Sequence, residues 1–462
     1  MYQIDFQKPE HVHFIGIGGI SMSGLAEILM EEGFAVSGSD SHRSELTEHL
    51  RAKGARVFYG QQASNIEELD GEIGVVVYTA AVHEDNPEFQ AAKKAGLPML
   101  SRAQLLGQMM KNYRYAAGIA GTHGKTTTTS MAAEILMAAE KDPTISVGGI
   151  LHSIGGNIRV GGSDIFVTEA CEYTDSFLSF FPNMAVILNI EEDHLDYFRD
   201  INHIRSSFRK FAEKLPDDGV LIINSDIDRF QEIIEGLSCR VVTVGKGADS
   251  DYSAGHITYD EYARDTFDLL IGGEKAESIT LGVPGEHNVY NALAAIALCR
   301  ELGVSLEHTK RGLANFAGTD RRFEKKGEIC GVTIIDDYAH HPREIAATLA
   351  TAKNYPHRKL WCVFQPHTYT RTKAFLDEFA RSLAAADEVV LADIYAARET
   401  DDLGISSGDI AGRVEALGTK AHYFSSFDEI ETFILENCVK GDLLITMGAG
   451  DIVKVGENLL GI

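Results

Sequence analysis

Positive charge is scarce in this 462-residue chain. Its 42 lysines and arginines stand against 68 aspartates and glutamates, for a formal net charge of -26. That balance argues against general affinity for nucleic acid or for an anionic membrane surface. It leaves room for phosphate ligands, which need only local cations. Cysteine is sparse as well. Cys171, Cys239, Cys299, Cys330, Cys362 and Cys438 are scattered without a Cys-x-x-Cys pair. That spacing excludes a disulfide framework and a zinc cluster, and suits thiols in a reducing compartment. Long apolar runs are missing, so no segment reads as membrane-spanning. Met1 to His13 has neither the basic nor the apolar region of a secretory leader. A cytoplasmic chain with no nucleic-acid and no membrane partner is expected. Low-complexity tracts and internal repeats are absent too.

What is present is a long alternation of short apolar runs with helical patterns, the mark of parallel α/β architecture. The length suggests about three domains. Val12 to Ile17, Ala35 to Asp40 and Gly74 to Tyr78 read as strands of a first unit, and Leu97 to Met110 as its last strand and helix. A second unit begins near Asn112 and has strands at Ile165–Thr168, Met184–Ile190 and Val220–Asn224. Lys246 to Leu281 looks like a small antiparallel insertion, and a helix from Asn288 to Leu302 closes the unit. Gly318-Thr319-Asp320 reads as a linker. The third unit carries strands at Val332–Asp336, Leu360–Phe364, Glu388–Leu391 and Leu443–Met447. The expected domains are 1–110, 111–318 and 319–462.

One run dominates the chemistry: Gly121-Thr122-His123-Gly124-Lys125-Thr126-Thr127. It lies between the apolar run Tyr115–Ile119 and a helical pattern beginning at Ser130. Strand, glycine-rich loop, Lys-Thr and helix together make a phosphate cradle. Its backbone amides and helix N-terminus face the anion, Lys125 reaches the β- and γ-phosphates, and Thr126 is placed to ligate Mg²⁺. Ile119 stands where the general pattern has its first glycine.

Other clusters follow apolar runs, where ligands of open α/β sheets bind. Gly16-Ile17-Gly18-Gly19, with Ser39-Asp40 some 20 residues on, resembles a dinucleotide fingerprint whose third glycine is replaced by Ser21. Its physical content is a pyrophosphate on a helix N-terminus, which a UDP-sugar satisfies as well as NAD does. Glu169 and His194 each follow a strand of the second unit and should face the phosphate loop. A carboxylate and a threonine hydroxyl suit Mg²⁺. Asn288 and Asn291 share one helix face and can pair with an adenine edge, although Asn288 is equally an N-cap. Arg322 sits at a domain junction. Asp336 to Pro342 and Gln365 to Thr372 follow strands of the third unit and should line one crevice.

These pieces in this order resemble the Mur ligase family. Asp336-Asp337-Tyr338-Ala339-His340-His341-Pro342 and Phe364-Gln365-Pro366-His367-Thr368-Tyr369-Thr370-Arg371-Thr372 resemble its alanine-adding branch. The resemblance implies a Rossmann-like UDP-sugar domain, a P-loop central ATPase domain and a Rossmann-like C-terminal amino-acid domain. It implies that L-alanine is joined to the lactyl carboxylate of UDP-N-acetylmuramate through an acyl phosphate, with ATP as the third substrate and Mg²⁺, or Mn²⁺ in its place, as the metal. The chain is expected as a monomer or homodimer.

By the same resemblance the phosphate loop and Lys125 hold the triphosphate, and Thr126, Glu169 and His194 serve metal. Asn288 and Asn291 meet adenine, Asp337 the ribose and Arg322 a phosphate. Gly16, Gly18, Gly19, Ser39 and Asp40 meet the UDP-sugar, and Tyr338, His367 and Arg371 line the amino-acid pocket. His194 and His340 are placed as bases for the amine. Arg205 occupies the position at which several relatives carry a carbamylated lysine, and Thr368 one at which some carry arginine. Three other readings stand beside this one: a tripeptide-recycling ligase acting on the same sugar, an NAD-linked oxidoreductase, and a nucleotide-binding regulator without catalysis.

Overall fold

In the computed structural model, which describes residues 2–69, 71–397, 399–400 and 403–462, the chain builds three sheets in succession. The first is five-stranded, in the order Arg56–Tyr59, Ala35–Asp40, His11–Ile15, Val75–Tyr78, Met99–Ser101. Every neighbour pair in it is parallel. The order reverses between His11–Ile15 and Val75–Tyr78, so a crevice opens beyond their carboxyl ends. The loop Gly16–Gly19 lies there. Gly16 has φ +87°, and a Cβ on it would come within 2.7 Å of Thr79, so both backbone and space call for glycine.

The central sheet has ten strands. Its parallel middle carries Tyr115–Ala120 between Met184–Ile187 and Ile165–Glu169. These strands are apolar because helices cover both faces. Lys125–Ala138 and Glu286–Glu301 pack on one face, and the core there is small: Ala132, Ala133, Ala292, Ala294 and Ala295 are fully buried. The expected antiparallel insertion is present: Tyr252–Tyr259, Arg264–Ile271 and Glu274–Pro284 form antiparallel pairs. Tyr252–Tyr259 also pairs in parallel with Arg240–Gly245, so the three strands extend the edge of the central sheet. The strand expected to reach Ile190 stops at Ile187. Beyond it the backbone turns so that Asn189 serves the phosphate loop, its carbonyl accepting from the Thr122 amide.

The third sheet runs Glu324–Ile329, Val332–Asp337, Leu443–Met447, Leu360–Phe364, Glu388–Leu391, Lys420–Tyr423. It is parallel except at its first pair. All three units are therefore doubly wound α/β structures around mainly parallel sheets.

The three units are joined unequally. One apolar cluster runs without a break from Ile4 through Met110 and Phe177 to Ile233, so the first two units share a core. Tyr113 stacks on Phe166 at 5.0 Å and meets Phe6 edge-on. Two glycines permit the close approach. A Cβ on Gly24 would lie 2.0 Å from Ile158, and one on Gly107 would lie 2.0 Å from the Ser179 carbonyl oxygen. The third unit keeps its own apolar clusters. It meets the central unit mainly through charged and polar side chains.

Candidate active site

The phosphate loop leaves Tyr115–Ala120 and turns through Gly121 (φ +152°) and Gly124 (φ +83°) into the helix Lys125–Ala138. Gly124 is the helix N-cap and offers no side-chain cap, which leaves the first-turn amides facing outward. Asn189 holds the loop from both sides: its Oδ1 accepts from the His123 amide at 2.7 Å, and its Nδ2 donates to the His123 carbonyl at 3.0 Å. Lys125 Nζ donates to the Thr122 carbonyl and to Glu172, the latter at 2.9 Å. The pair is nearly closed to solvent, with side-chain exposures of 16% and 3%. Burial alone would disfavour the ammonium, but Glu172, with Cys171 and Glu169 nearby, shifts its pKa upward and keeps it charged.

Beside the loop, Glu169 ends its strand with its carboxylate on the Gly148 amide. A Cβ on Gly148 would stand 2.8 Å from that carboxylate, and one on Gly149 would stand 3.3 Å from the Thr126 methyl. The two glycines thus let the strand that carries them lie close to Glu169 and to Thr126, whose carboxylate and hydroxyl are hard oxygen donors of the kind that fit Mg²⁺. His194 stacks on Tyr173 with ring centroids 4.5 Å apart, and its Nε2 is 3.8 Å from Glu172. Burial lowers its pKa, so the imidazole is neutral near pH 7.

A cavity of about 950 Å³ opens from the phosphate loop toward the third unit, within the roughly 300–1,000 Å³ usual for small-molecule sites. Asn288, Asn291, Arg322 and Asp337 all line it. The asparagines are tied to the protein: Asn291 Nδ2 donates to Asn288 Oδ1 at 3.0 Å, and Asn288 Nδ2 to the Pro284 carbonyl at 2.7 Å. Asn291 Oδ1 also packs under Gly124. Asp337 accepts from the Phe323 and Ala339 amides, each at 2.8 Å. Burial raises its pKa to about 6 against the pull of Arg322. Arg322 lies over the Tyr338 ring at 5.2 Å and forms no ion pair among the described residues. Arg205 also lines the cavity and is paired with Asp228.

On the third unit, Arg371 is already engaged. Its Nε and Nη2 donate to Asp193 of the central unit at 3.1 and 2.9 Å, and its Nη1 meets His367 Nδ1 at 3.1 Å. Burial opposes the Asp193 charge, but Arg371 and neighbouring histidines hold its carboxyl well below the usual range. His367 stacks on Tyr395 and meets the His340 ring edge-on. His340 Nδ1 lies 3.0 Å from the Tyr338 carbonyl. Burial lowers the His340 pKa to about 4. The neutral ring therefore donates from Nδ1 and keeps its Nε2 lone pair.

Sequence reasoning missed the acids that join the units. His123 lies between Glu191, 3.2 Å from its Nε2, and Glu344, 3.2 Å from its Nδ1. Burial works against its charge, yet the two carboxylates raise its pKa to about 9. Arg343 pairs with Glu191, and His341 Nε2 donates to the Glu192 carbonyl. Donor atoms of His123, Glu191 and His341 lie within 4.8 Å of one another. As an imidazolium, His123 offers a metal no lone pair, so this group reads as an ion-paired clasp. Glu172 and Asp193 stand close in sequence to Glu169 and His194, but nothing in their spacing marked them as partners of Lys125 and Arg371.

At the sugar end, the Gly18 amide donates to Asp40 Oδ2 at 2.9 Å, and the Gly16 and Ile17 amides to the Ser39 carbonyl at 2.8 and 2.9 Å. The Ser39 hydroxyl points into the protein, onto buried Glu88. Gly19 caps the following helix without a side chain, and that helix end is open to solvent.

These features define a three-unit α/β protein with a phosphate loop facing a crevice between its second and third units. Known proteins share this arrangement. Residues 11–114 match the Mur ligase family catalytic domain, residues 119–299 the Mur ligase middle domain, and residues 321–450 the Mur ligase glutamate ligase domain. A UDP-N-acetylmuramate–L-alanine ligase of Lachnospira eligens is 64% identical over 461 residues, covering 100% of both chains. One of Agathobacter rectalis is 61% identical with the same coverage. The crystal structure of UDP-N-acetylmuramate-alanine ligase from Thermotoga maritima superposes with a TM-score of 0.78 at 31% identity, covering 98% of each chain. A murein peptide ligase of Psychrobacter arcticus superposes at 0.69 with 26% identity and the same 98% coverage. The chain belongs to the Mur ligase family.

Proposed function

We propose that this chain is an ATP-dependent ligase that joins L-alanine to the lactyl carboxylate of UDP-N-acetylmuramate, in the cytoplasmic synthesis of peptidoglycan precursors. The observation that carries the reading is the meeting of two half-sites. The phosphate loop of the central unit meets the helix that follows the Asp-Asp-Tyr-Ala-His-His segment of the third, at His123 and Glu344, 3.2 Å apart. A phosphoryl donor and an amine acceptor can therefore share one crevice. Full-length identity of 64% and 61% to proteins named for the alanine reaction supports the same assignment. The tripeptide-recycling alternative is less well supported, by relatives of 26% identity over 98% of the chain and 32% over 68%. An oxidoreductase would leave the phosphate loop without a role.

A carboxylate is a poor electrophile and must be activated. Attack of the lactyl carboxylate on the γ-phosphorus forms the acyl–oxygen–phosphorus link and releases ADP. The alanine amine then attacks the acyl carbon, the amide bond forms, and inorganic phosphate leaves. Both steps need charge neutralisation and alignment more than covalent help. Lys125, held charged by Glu172, is poised at the loop, and Arg322 lines the cavity with no ion pair among the described residues. Thr126 and Glu169 would hold Mg²⁺, with His194 at a second position, and the ion would supply further positive charge at the phosphate oxygens. Neutral His340 is able to accept a proton from the amine, and so is His194 when its single lone pair is not given to metal. The Gly16–Gly19 loop and its open helix end hold the uridine diphosphate. Contact between the second and third units excludes water from the acyl phosphate. ADP release, measured with UDP-N-acetylmuramate and a panel of amino acids plus the tripeptide, tests the reading. Turnover with L-alanine is expected. Turnover with the tripeptide alone would overturn the assignment.

A further inference from the structure

Glu344 stands in the first turn of the helix Pro342–Lys353 and uses its two oxygens differently. Oε2 accepts from the His340 amide at 3.1 Å and the His341 amide at 3.3 Å, and lies 3.4 Å from His340 Nδ1. Oε1 is 3.2 Å from His123 Nδ1, in the phosphate loop of another unit. Capping its own helix requires only the first oxygen. Burial opposes the charge, but His340, His123 and Arg322 hold the carboxyl well below its usual range.

We propose that Glu344 is a positioning residue that couples the phosphate loop to the amino-acid pocket, seating the third unit on His123 with one oxygen and fixing the His340–His341 backbone with the other. This rests on the ligase reading above. The groups within hydrogen-bond reach of Glu344 are donors: the His123 imidazolium on one side, and two backbone amides with the His340 Nδ1–H on the other. Only an ionised carboxylate accepts on both sides. A glutamine of the same shape must turn its NH₂ toward one of them, so the isosteric change breaks one half of the link. An aspartate keeps the charge but is one methylene too short to span both. Filling the phosphate loop restrains His123. Through Glu344 that restraint reaches the segment carrying Tyr338 and His340, so the amine pocket is completed once nucleotide is in place.

The test compares Glu344→Gln, His123→Gln and the double variant in steady-state ligation. Each single change is expected to raise the L-alanine KM about tenfold or more, the scale of a lost charge-assisted hydrogen bond. The UDP-sugar KM should stay within about twofold, because that site lies in the first unit. The double variant should be no worse than the poorer single one, since both changes remove the same link. His123→Gln leaves the helix cap intact, so a shared phenotype cannot come from lost capping. Hydrogen exchange gives a second readout that needs no turnover. A non-hydrolysable ATP analogue should slow exchange at the His340 and His341 amides in the wild-type chain but not in His123→Gln. Unchanged alanine KM in both single variants, multiplying losses in the double, or equal protection in wild type and variant would each overturn the coupling. A wild-type chain that protects those amides yet releases no ADP with alanine would overturn the ligase reading alone.

Discussion

Lys125 and Glu172 form an ion pair that is almost entirely buried, so removing one partner and removing both should have opposite consequences for stability. Lys125→Met deletes the cation and leaves Glu172, 3% exposed, charged and unpaired. Breaking a buried pair in this way costs about 3–5 kcal/mol. The Cys171 thiol and Glu169 beside it cannot replace the cation. The same change removes a charge aimed at the transferring phosphoryl group, which is worth on the order of 10²–10³ in turnover. Lys125→Met/Glu172→Gln removes both charges, so most of the stability should return while the turnover does not. The assay is chemical denaturation of the three proteins beside ADP release at saturating ATP, sugar and alanine. Stability and activity should separate: low and low in the single variant, near wild type and low in the double. Recovery of turnover in the double variant would refute the role of Lys125 at the phosphate. A single variant as stable as wild type would refute the burial argument.

Three further outcomes are expected. Gly107→Ala places a Cβ 2.0 Å from the Ser179 carbonyl oxygen, so the helix must shift; a loss of about 1–3 kcal/mol should appear in denaturant melts, and Gly156→Ala, whose Cβ meets nothing within 4 Å, serves as the control. The His123 pKa is raised from 6.5 to about 9 in the folded chain. Its stabilising contribution is therefore complete below about pH 6.5 and lost as pH rises through about 9, so wild-type stability should fall more steeply from pH 7 to 10 than that of His123→Gln, as read by thermal melts across that range. Arg371→Ala should raise the L-alanine KM about tenfold while the ATP and sugar KM values move little. An unchanged alanine KM would make Arg371 purely the partner of Asp193.

Glycine loops and short apolar runs were legible because each has a local cause. Gly16, Gly121 and Gly124 carry positive φ, and strands buried on both faces must be apolar along their whole length. The hairpin Thr144–Leu151 with Gly156–Arg159 was not legible, because Gly148-Gly149 reads as a turn. Those glycines are explained by Glu169 and Thr126, which arrive from elsewhere in the chain. The acids of the crevice were hidden for a related reason. Glu344 looks like an ordinary first-turn glutamate, and Glu191 and Asp193 sit in a solvated-looking acidic run. What distinguishes each is a cation about 150 to 220 residues away, a relation that local spacing does not encode. The placing of Arg371 in the amino-acid pocket met the same limit: local spacing does not show that two of its nitrogens already donate to Asp193.

The apolar cluster that runs from Ile4 to Ile233 without regard for the break between the first two units decides where this chain can be cut. Division near residue 318 parts mostly hydrophilic surfaces, so two polypeptides made separately should remain dispersed and reassociate on mixing. Division near residue 111 tears open a continuous oily seam, and each half would expose Met109, Phe166 or Phe177 to water. The same logic governs shuffling between relatives. A foreign third unit can be grafted by matching a handful of ion pairs, whereas a foreign first unit must bring its whole contact face with it.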